Sequence, residues 1–334
     1  MYENFYGFKE KPFSLLPDPS FLYFGKMHST AYAVLEYGLL NHADFTVITG
    51  EIGSGKTTLI RHLLNQLEDD VTVGLLNSGH LEKGELLRWV LLSFGLEYQD
   101  KDRIALYDQF TRFLIDQYAR NKRTVLIVDE AQNLDADVLE ELRLLSNLNA
   151  DKDQVLQTVL VGQPELRSLL KRPELKQLLQ RVSVDFHLTG LSEKDSLAYI
   201  YHRTRCAGRK KPLFTKNACY LLYHASKGIP RLINSLCDLA LVYGYVDKRP
   251  CISSRVVKDV LSDKEDSGLY HFDIPDIDSS SEQLEQSDST QQTVVLKSMD
   301  SNAGKEHINT ATVTRLDVEV GRQSMSDYSD KKRK

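Results

Sequence analysis

The sequence predicts an α/β fold in which a three-layer parallel sheet is followed by a small all-helical domain and a disordered tail. Up to residue 190, short apolar runs rich in β-branched residues alternate with longer segments of helical periodicity. This alternation is typical of a parallel sheet with helices on both faces. Beyond residue 190 only the helical patterns continue. We therefore predict domains at 1–190 and 191–263, and a tail at 264–334.

The individual elements follow from the spacing of apolar residues and from capping residues. The predicted strands are 45–49, 71–77, 123–129, 155–161 and 182–188. The predicted helices of the first domain are 29–40, 58–67, 86–94, 107–118, 137–148 and 173–179. Those of the second domain are 192–206, 215–226, 230–243 and 253–261. Ser192 and Thr215 are good N-caps for the first two of these four helices.

Residues 1–30 form a lead-in that is dense in aromatic residues and prolines. Aromatic side chains at this density are usually buried, so we predict an ordered but irregular segment. Two interpretations of these side chains stand side by side. They could wall an adenine ring, or they could pack against the core domain.

The net charge of −5 belongs to the tail. The tail holds 14 acidic and 9 basic residues, which leaves 33 of each sign in residues 1–263 when subtracted from the totals of 47 and 42. The folded part is therefore neutral, so its charge does not favour general binding to nucleic acid. The tail is rich in Ser, Asp, Gln and Thr without apolar periodicity, which predicts disorder.

We expect a cytoplasmic protein. The N-terminus lacks the charged and then apolar pattern of a signal sequence. No stretch reaches the roughly 18 apolar residues of a membrane helix. Direct membrane insertion is therefore not expected, and any peripheral association with the inner membrane would come through partners.

Residues 50–57 have the sequence G-E-I-G-S-G-K-T, which fits the phosphate-loop pattern G-x-x-x-x-G-K-[ST] at every fixed position. A predicted strand precedes the loop and a predicted helix follows it. Glycines let backbone N–H groups surround a β-phosphate, and the helix N-terminus favours negative charge. Lys56 would reach the β- and γ-phosphates, and the Thr57 hydroxyl would bind Mg²⁺. The predicted nucleotide-binding residues are Gly50, Glu51, Ile52, Gly53, Ser54, Gly55, Lys56, Thr57 and Thr58.

The strand 123–129 ends in four apolar residues followed by Asp129 and Glu130. A carboxylate at the carboxyl end of such a strand can hold Mg²⁺ beside the phosphates, which is the role predicted for Asp129. A carboxylate one residue further along can orient and deprotonate a water for attack on the γ-phosphate. We therefore predict Glu130 as the catalytic base of Mg²⁺-dependent ATP hydrolysis.

Several further motifs carry a resemblance to a known family. They are M-Y-E-N-F-Y-G-F-K-E-K-P-F-S-L-L-P-D-P at 1–19, Y-G at 37–38, V-D-E-A-Q at 128–132, L-R-L-L-S-N-L at 142–148, V-G-Q-P-E-L at 161–166 and G-I-P-R at 228–231. With the phosphate loop, they make residues 1–262 resemble the AAA+ ATPases, and among them the ExeA/GspA-type secretion ATPases and their relatives in pilus, exosortase and exopolysaccharide gene clusters. The resemblance implies a P-loop NTPase fold with a helical lid domain.

The resemblance also implies roles for single residues. Gln163 matches the first sensor, Arg231 the second sensor, and Arg181 the arginine that completes a neighbouring subunit's site, so a homo-oligomer is expected. Asn77 is similar in position to the residue that restrains the catalytic glutamate. The alternatives are a turn residue at Gln163 and ordinary surface arginines at 181 and 231.

The implied function is an oligomeric switch or motor that supports secretion, polysaccharide export or pilus assembly at the cell envelope. Its partners would be envelope-assembly or export proteins, recruited through the tail. The protein that names the branch continues into a membrane helix and a peptidoglycan-binding part. This chain shows neither, so the roles of the shorter soluble relatives fit better.

Two alternative functions belong to other classes. One is a DNA-associated ATPase of the transposition target-selection type, which would need a basic surface. The residues that could supply it are Arg203, Arg205, Arg209, Lys210 and Lys211. The other is a nucleotide-gated adaptor with negligible hydrolysis.

Overall fold

One parallel sheet organises the first part of the chain. The computed structural model describes residues 1–16, 18–67, 70–77, 79, 84–149, 154–268 and 270–273. Its strands are β1 (Phe45–Gly50), β2 (Val71–Asn77), β3 (Arg123–Asp129), β4 (Gln157–Gly162) and β5 (Val182–Leu188). They lie in the order β2-β3-β4-β1-β5, and every neighbouring pair is parallel. The predicted α/β class and the parallel sheet are confirmed.

Helices cover the sheet and continue beyond it. Those up to β5 are α1 (Glu3–Tyr6), α2 (Lys26–Leu40), α3 (Lys56–Gln66), α4 (Leu86–Ser93), α5 (Arg103–Ala119), α6 (Ala136–Leu145), α7 (Pro164–Leu170) and α8 (Lys176–Arg181). After β5 come α9 (Glu193–Cys206), α10 (Lys216–Ser226), α11 (Pro230–Val246) and α12 (Ser254–Asp266). We call the part from α9 to α12 the helical region. Among the described residues, no strand of the sheet follows Leu188.

The sheet is buried on both faces, which gives the three predicted layers. Val47 and Leu160 belong to a core shared with α4 to α8. Ile48 and Val159, their neighbours along β1 and β4, belong to a second core shared with α2 and α3. Successive side chains of a strand point to opposite faces. Burial of both faces therefore explains why these strands are continuous apolar runs in the sequence.

Among the elements that differ from the sequence prediction are α5, α7 and α12. Helix α5 begins at Arg103 rather than 107, because the Asp102 side chain caps it by accepting a hydrogen bond from Ala105 N at 2.8 Å. Helix α7 was not predicted. It begins at Pro164, a residue that suits the first turn of a helix because its missing N–H has no acceptor there. Helix α12 continues to Asp266, past the predicted start of the tail at 264.

The lead-in packs against the helical region. Arg203 on α9 is 6% exposed, and its Nε and Nη2 donate hydrogen bonds to the carbonyls of Pro12 and Ser14 at 2.7 and 3.1 Å. The rings of Phe13 and Phe214 meet edge to face with their centroids 5.8 Å apart. This part of the lead-in is therefore packed, but its partner is the helical region and not the core domain that the packing interpretation named.

The five basic residues of the cluster at 203–211 differ in how deeply they are buried. Arg203 faces the lead-in, and Arg209 donates a hydrogen bond to the carbonyl of Tyr6. These two side chains are therefore engaged within the chain, and the five basic residues do not form one exposed surface. Arg205, Lys210 and Lys211 are exposed, and the DNA-binding alternative stays a prediction.

Residues Met1–Asp276 form one compact unit. The domain boundary at 190/191 stays a prediction, as does the disorder of the tail, most of which lies outside the described residues together with its basic end at 331–334. Within the described part of the chain, none of the helices combines the length and apolar character needed to cross a bilayer.

We expect Phe13→Ala to lower the free energy of unfolding by about 3 kcal/mol, because Phe13 is 1% exposed and its removal leaves a cavity between lead-in and helical region. Phe5→Ala is the matched control. Phe5 is 43% exposed, so its loss should cost about 1 kcal/mol or less. Urea unfolding of both variants measures the difference, and equal losses would contradict a buried role for Phe13.

Candidate functional site

Three neighbouring strands deliver the predicted site residues to one edge of the sheet. Strands β3, β4 and β1 are adjacent and parallel, so their carboxyl ends lie together. The phosphate loop follows β1, Asp129 ends β3, and Gln163 follows β4. Ligands of open α/β sheets bind at this edge. Tertiary structure therefore brings together groups that are far apart in the sequence.

The phosphate loop turns on two glycines in the left-handed region. Gly53 has φ 81° and Gly55 has φ 102°. Such values are easily adopted only by glycine. Gly55 is also the N-cap of α3, so the loop runs directly into the N-terminus of a helix. This is the strand, loop and helix arrangement that the sequence predicted.

Lys56 lies at the base of the loop, where it is buried. Its Nζ donates hydrogen bonds to the carbonyls of Gly50 at 2.7 Å and Glu51 at 3.0 Å. Burial lowers the pKa of Lys56, while the nearby carboxylates, Glu130 and Asp129 foremost, oppose that effect. The ammonium is thus held inside the curve of the loop, beside the acidic residues of β3.

Thr57 and Asp129 form the pair that the sequence proposed as metal ligands. Thr57 Oγ1 donates a hydrogen bond to Asp129 Oδ2 at 3.2 Å. Asp129 Oδ1 accepts from the backbone N–H of Glu130 at 2.9 Å. A hydroxyl and a carboxylate are the oxygen ligands that Mg²⁺ prefers in phosphate sites. The chemistry of this donor set therefore fits Mg²⁺.

Glu130 is held by two side-chain amides. Its Oε2 accepts hydrogen bonds from Gln132 Nε2 at 2.7 Å and Gln163 Nε2 at 3.1 Å. Burial by itself raises the pKa of Glu130, but the two amide bonds and the charge of Lys56 outweigh it, so the pKa lies below its usual value. Glu130 is therefore a carboxylate at neutral pH, the form that a general base requires.

The backbone at Glu130 is also unusual. Its φ of 55° and ψ of 33° are left-handed values that side-chain-bearing residues rarely adopt. A 3₁₀ turn, Ala131–Asn133, follows directly and folds Gln132 back towards the sheet. Conformations of this kind cluster at functional sites.

Gln132 is a site residue to which sequence reasoning gave no role. Besides its bond to Glu130, its Oε1 accepts the backbone N–H of Gln163 at 2.9 Å. It therefore joins the end of β3 to the end of β4. In the sequence, Gln132 was marked only by its place within the motif V-D-E-A-Q at 128–132. The turn after β3 shows that its amide contacts both Glu130 and Gln163.

The start of α11 lies against the phosphate loop. The backbone N–H of Arg231 donates to the carbonyl of Gly53 at 3.3 Å. A Cβ on Gly53 would lie 2.4 Å from the Cβ of Arg231. Arg231 also lines the cavity above the loop together with Glu130 and Gln163. The helical region thus contacts the site at the position predicted for the second sensor, and the sensor roles of Arg231 and Gln163 stay predictions.

The lead-in supplies another wall of the same cavity. The lining residues from this segment are Ser14, Leu15, Leu16, Asp18, Phe21, Leu22, Tyr23 and Phe24. Tyr199, Arg203 and Asn234 line it from the helical region. The two interpretations of the lead-in are therefore compatible, because one part packs against the helical region while the next part borders the cavity.

Arg181 is not brought to this site. It immediately precedes β5 and so lies at the amino edge of the sheet, opposite the phosphate loop. Its Nη1 is 3.6 Å from Asp44 Oδ2, donates to Ser146 Oγ, and is 3.4 Å from the carbonyl of Arg143. This placement leaves Arg181 no role at the site of its own chain.

Asn77 ends β2, and it pairs in register with Asp129 on β3. It therefore lies one strand away from the acidic pair at the same edge of the sheet. Its proposed restraint of Glu130 stays a prediction.

Comparison with known proteins identifies the class. Residues 40–170 match the family model described as AAA domain. The solved structure of the Aeropyrum pernix ORC2 protein in ADPNP–ADP complexes superposes with a TM-score of 0.57 at 17% identity, over 76% of this chain and 71% of that one. Cdc6p from Pyrobaculum aerophilum gives 0.56 at 15% identity, over 74% and 71%. At such identities the likeness concerns the fold, which is that of the AAA+ P-loop proteins.

A known relative shows to which type of AAA+ protein the chain is related. The chain is 44% identical over 247 residues to General secretion pathway protein A of Aeromonas hydrophila, and the match covers 73% of this chain and 45% of that protein. The chain is therefore an AAA+ protein related to the ExeA/GspA type, which confirms the resemblance seen in the sequence motifs. It spans less than half the length of this relative.

We expect Gly53→Ala to lower the free energy of unfolding by about 2 to 3 kcal/mol. The substitution adds a Cβ at positive φ and drives it into Arg231. Gly7→Ala is the matched control, since Gly7 has φ 72° with nothing near its absent Cβ, and it should cost about 1 kcal/mol. Thermal unfolding compares them, and equal losses would show that α11 does not press on the loop in solution.

Proposed function

We propose that this protein binds ATP with Mg²⁺ and hydrolyses it to ADP and phosphate. One observation carries the proposal, namely the group of side chains that meet at the carboxyl edge of the sheet. Its members are Lys56, Thr57, Asp129 and Glu130. A buried ammonium, an oxygen pair suited to a metal and an ionised carboxylate are the parts that hydrolysis of a phosphoanhydride requires.

Three residues would hold the phosphates and the metal. Lys56 Nζ would exchange the loop carbonyls for oxygens of the β- and γ-phosphates, while the N–H groups of the loop surround the β-phosphate. Thr57 Oγ1 and Asp129 would hold Mg²⁺, which when bound neutralises charge on the phosphate oxygens. The hydrogen bond of 3.2 Å between Thr57 Oγ1 and Asp129 Oδ2 supports this pairing, because it already holds the two oxygens side by side.

Glu130 would act as the base. Its carboxylate would accept a proton from the attacking water as the oxygen approaches the γ-phosphorus. Gln163 and Gln132 would orient that carboxylate, because both donate to Oε2. Gln163 would also sense the γ-phosphate, since a small turn of its amide from Glu130 would bring it to a phosphate oxygen or to the water.

The lead-in and the helical region would enclose the base of the nucleotide. Apolar lead-in side chains border the cavity beside the loop. Buried Arg203 holds the carbonyls of Pro12 and Ser14 and so fixes the course of that wall. Arg231, at the start of α11, would close the helical region onto the phosphates. Nucleotide state would thereby be transmitted to the helical region.

The proposed active unit is a homo-oligomer. Arg181 lies at the edge of the sheet opposite the phosphate loop, so it could reach a nucleotide only on a neighbouring copy. Its bonds to Asp44 and Ser146 would have to be exchanged when that copy binds. An arginine supplied in trans stabilises the charge that develops in the transition state.

The proposed cellular role is a switch or motor for a secretion, polysaccharide-export or pilus-assembly machine at the cell envelope. Its support is the 44% identity to General secretion pathway protein A. The match covers only 45% of that protein. We therefore propose for this chain no more than an ATP-driven step of such a machine. We propose that the protein works at the cytoplasmic side of the inner membrane, with the tail recruiting its partners.

We expect Lys56→Ala to abolish ATP binding, because it removes the cation of the phosphate loop. Glu130→Gln should retain binding and lower kcat by about 10²- to 10⁴-fold, because a neutral amide cannot take the water's proton. Isothermal titration and phosphate release measure the two steps. Glu174→Gln, on an exposed residue of the same type, is the control. Turnover by Glu130→Gln at the wild-type rate would rule out Glu130 as the base.

We expect Arg181→Ala to bind ATP normally and to lose turnover by on the order of 10³-fold. The reason is that Arg181 would serve the neighbour's site and not its own. Mixing Arg181→Ala with Glu130→Gln should restore part of the activity, since some interfaces then combine an intact base with an intact arginine. Arg112→Ala, on the exposed face of α5, should behave as wild type. Absence of recovery in the mixture would argue against action in trans.

A further inference from the structure

A histidine of α2 contacts the phosphate loop from the side. His28 is 8% exposed, and its Nε2 lies 2.9 Å from the carbonyl oxygen of Ser54. Ser54 itself is fully buried in the middle of the loop. His28 belongs to none of the motifs that predicted the site, and the catalytic scheme above assigns it no role.

The partner of Nε2 determines the protonation state of the ring. A carbonyl oxygen can only accept, so Nε2 must carry the hydrogen. Nδ1 is buried and has no hydrogen-bond partner among the described residues. A second proton there would be buried without an acceptor, which is costly. Burial lowers the pKa of His28, although the Ser54 carbonyl and Asp195 oppose the shift. His28 is therefore neutral, with its hydrogen on Nε2.

The hydrogen bond to Ser54 sets the orientation of a whole peptide group. The peptide between Ser54 and Gly55 is trans, since the described chain contains no cis bonds. In a planar trans peptide the C=O and the following N–H point in opposite directions. Holding the Ser54 oxygen towards α2 therefore turns the N–H of Gly55 away from α2.

Close packing makes this orientation specific. A Cβ on Gly55 would lie 2.8 Å from His28 Nε2, so the imidazole fills the space that a side chain would need. Gly55 also has φ 102°, a left-handed value that glycine adopts easily and other residues rarely do. The histidine and the last glycine of the loop thus fit one another.

The position of His28 is set by contacts outside the loop. Helix α2 begins after Gly25, where an added Cβ would meet the ring of Tyr23 at 3.1 Å and the side chains of Leu191 and Asp195 at 3.4 and 3.5 Å. The first turn of α2 is therefore pressed between the lead-in and the helical region. His28 lies in that turn.

We propose that His28 is a positioning residue for the phosphate loop, which holds the Ser54–Gly55 peptide so that the Gly55 N–H points into the curve of the loop and binds the β-phosphate. The proposal rests on the nucleotide binding proposed above. An apolar side chain could fill the same space without burying an unpartnered nitrogen, so packing alone does not explain a histidine at this position. The donor on Nε2 is what an apolar residue would lack.

The experiment compares His28→Met, which fills the space without a donor, with His28→Gln, whose amide can donate to Ser54. Calorimetric titration with ATP, ADP and AMP measures binding, and thermal unfolding measures stability. His224→Met, on a half-buried histidine of α10, is the control. We expect His28→Met to bind ATP and ADP about tenfold more weakly and AMP as before, because AMP lacks the β-phosphate. His28→Gln should recover most of the loss.

Several outcomes would overturn the proposal. Wild-type affinity of His28→Met for ADP would do so, as would an equal loss for ADP and AMP, which indicates a general disturbance of the fold. If His28→Met does not fold, the nitrogen NMR spectrum of the wild-type histidines decides, since a ring without a hydrogen on Nε2 of His28 cannot donate to the Ser54 carbonyl. Wild-type protein that binds ADP without hydrolysing ATP would refute the proposed activity alone. Failure of the wild type to bind any nucleotide would refute both.

Discussion

The parallel pairing of β3, β4 and β1 is the constraint on which the site depends. In this arrangement Val128 pairs with Leu160 and Thr49 with Gly162, so the three strands end nearly level with one another. The chain leaves all three at one edge, because parallel strands share their direction. The phosphate loop, the acidic pair and the polar residue after β4 are adjacent for that reason alone. A buried sheet of this kind is rigid, which keeps the groups at fixed separations.

Hydrogen bonds between side chains and backbone then refine what the sheet brings together. Two charged groups at the edge already have partners of opposite polarity: Lys56 has two carbonyls, and Glu130 has two amides. These contacts satisfy groups that would otherwise be costly to bury. They are also exchangeable, because phosphate oxygens can replace the carbonyls and a water can replace an amide. The same bonds thus stabilise the chain and prepare it for the chemistry proposed here.

The lead-in joins the helical region to this edge. Arg203 binds the carbonyls of Pro12 and Ser14, and the chain then passes the cavity and enters α2. Movement of the helical region would therefore shift both the wall of the cavity and His28. A second contact, from Arg231 to the loop carbonyl of Gly53, is direct. The cavity and the helical region are thus joined by two sets of contacts that are distant in the sequence.

Much of this arrangement was predictable because the signals are local. Apolar runs defined the strands, and G-x-x-x-x-G-K-T with its flanking elements identified the loop. The sequence also placed Asp129 and Glu130 at a strand end. Some local elements were missed: the sequence analysis did not predict α7, which begins at Pro164, and it placed the start of α5 four residues after the first residue of the helix that Asp102 caps.

The sequence by itself determined the fold class, the phosphate loop and the acidic pair, since periodicity and short motifs need no partner to be recognised. Only the tertiary structure decided that Gln132 joins Glu130 to Gln163, that Arg203 is buried rather than part of a basic surface, and that His28 contacts Ser54. The physical reason is that a hydrogen bond across 26 residues or more is set by the packing of whole elements, which a single side chain's identity does not reveal.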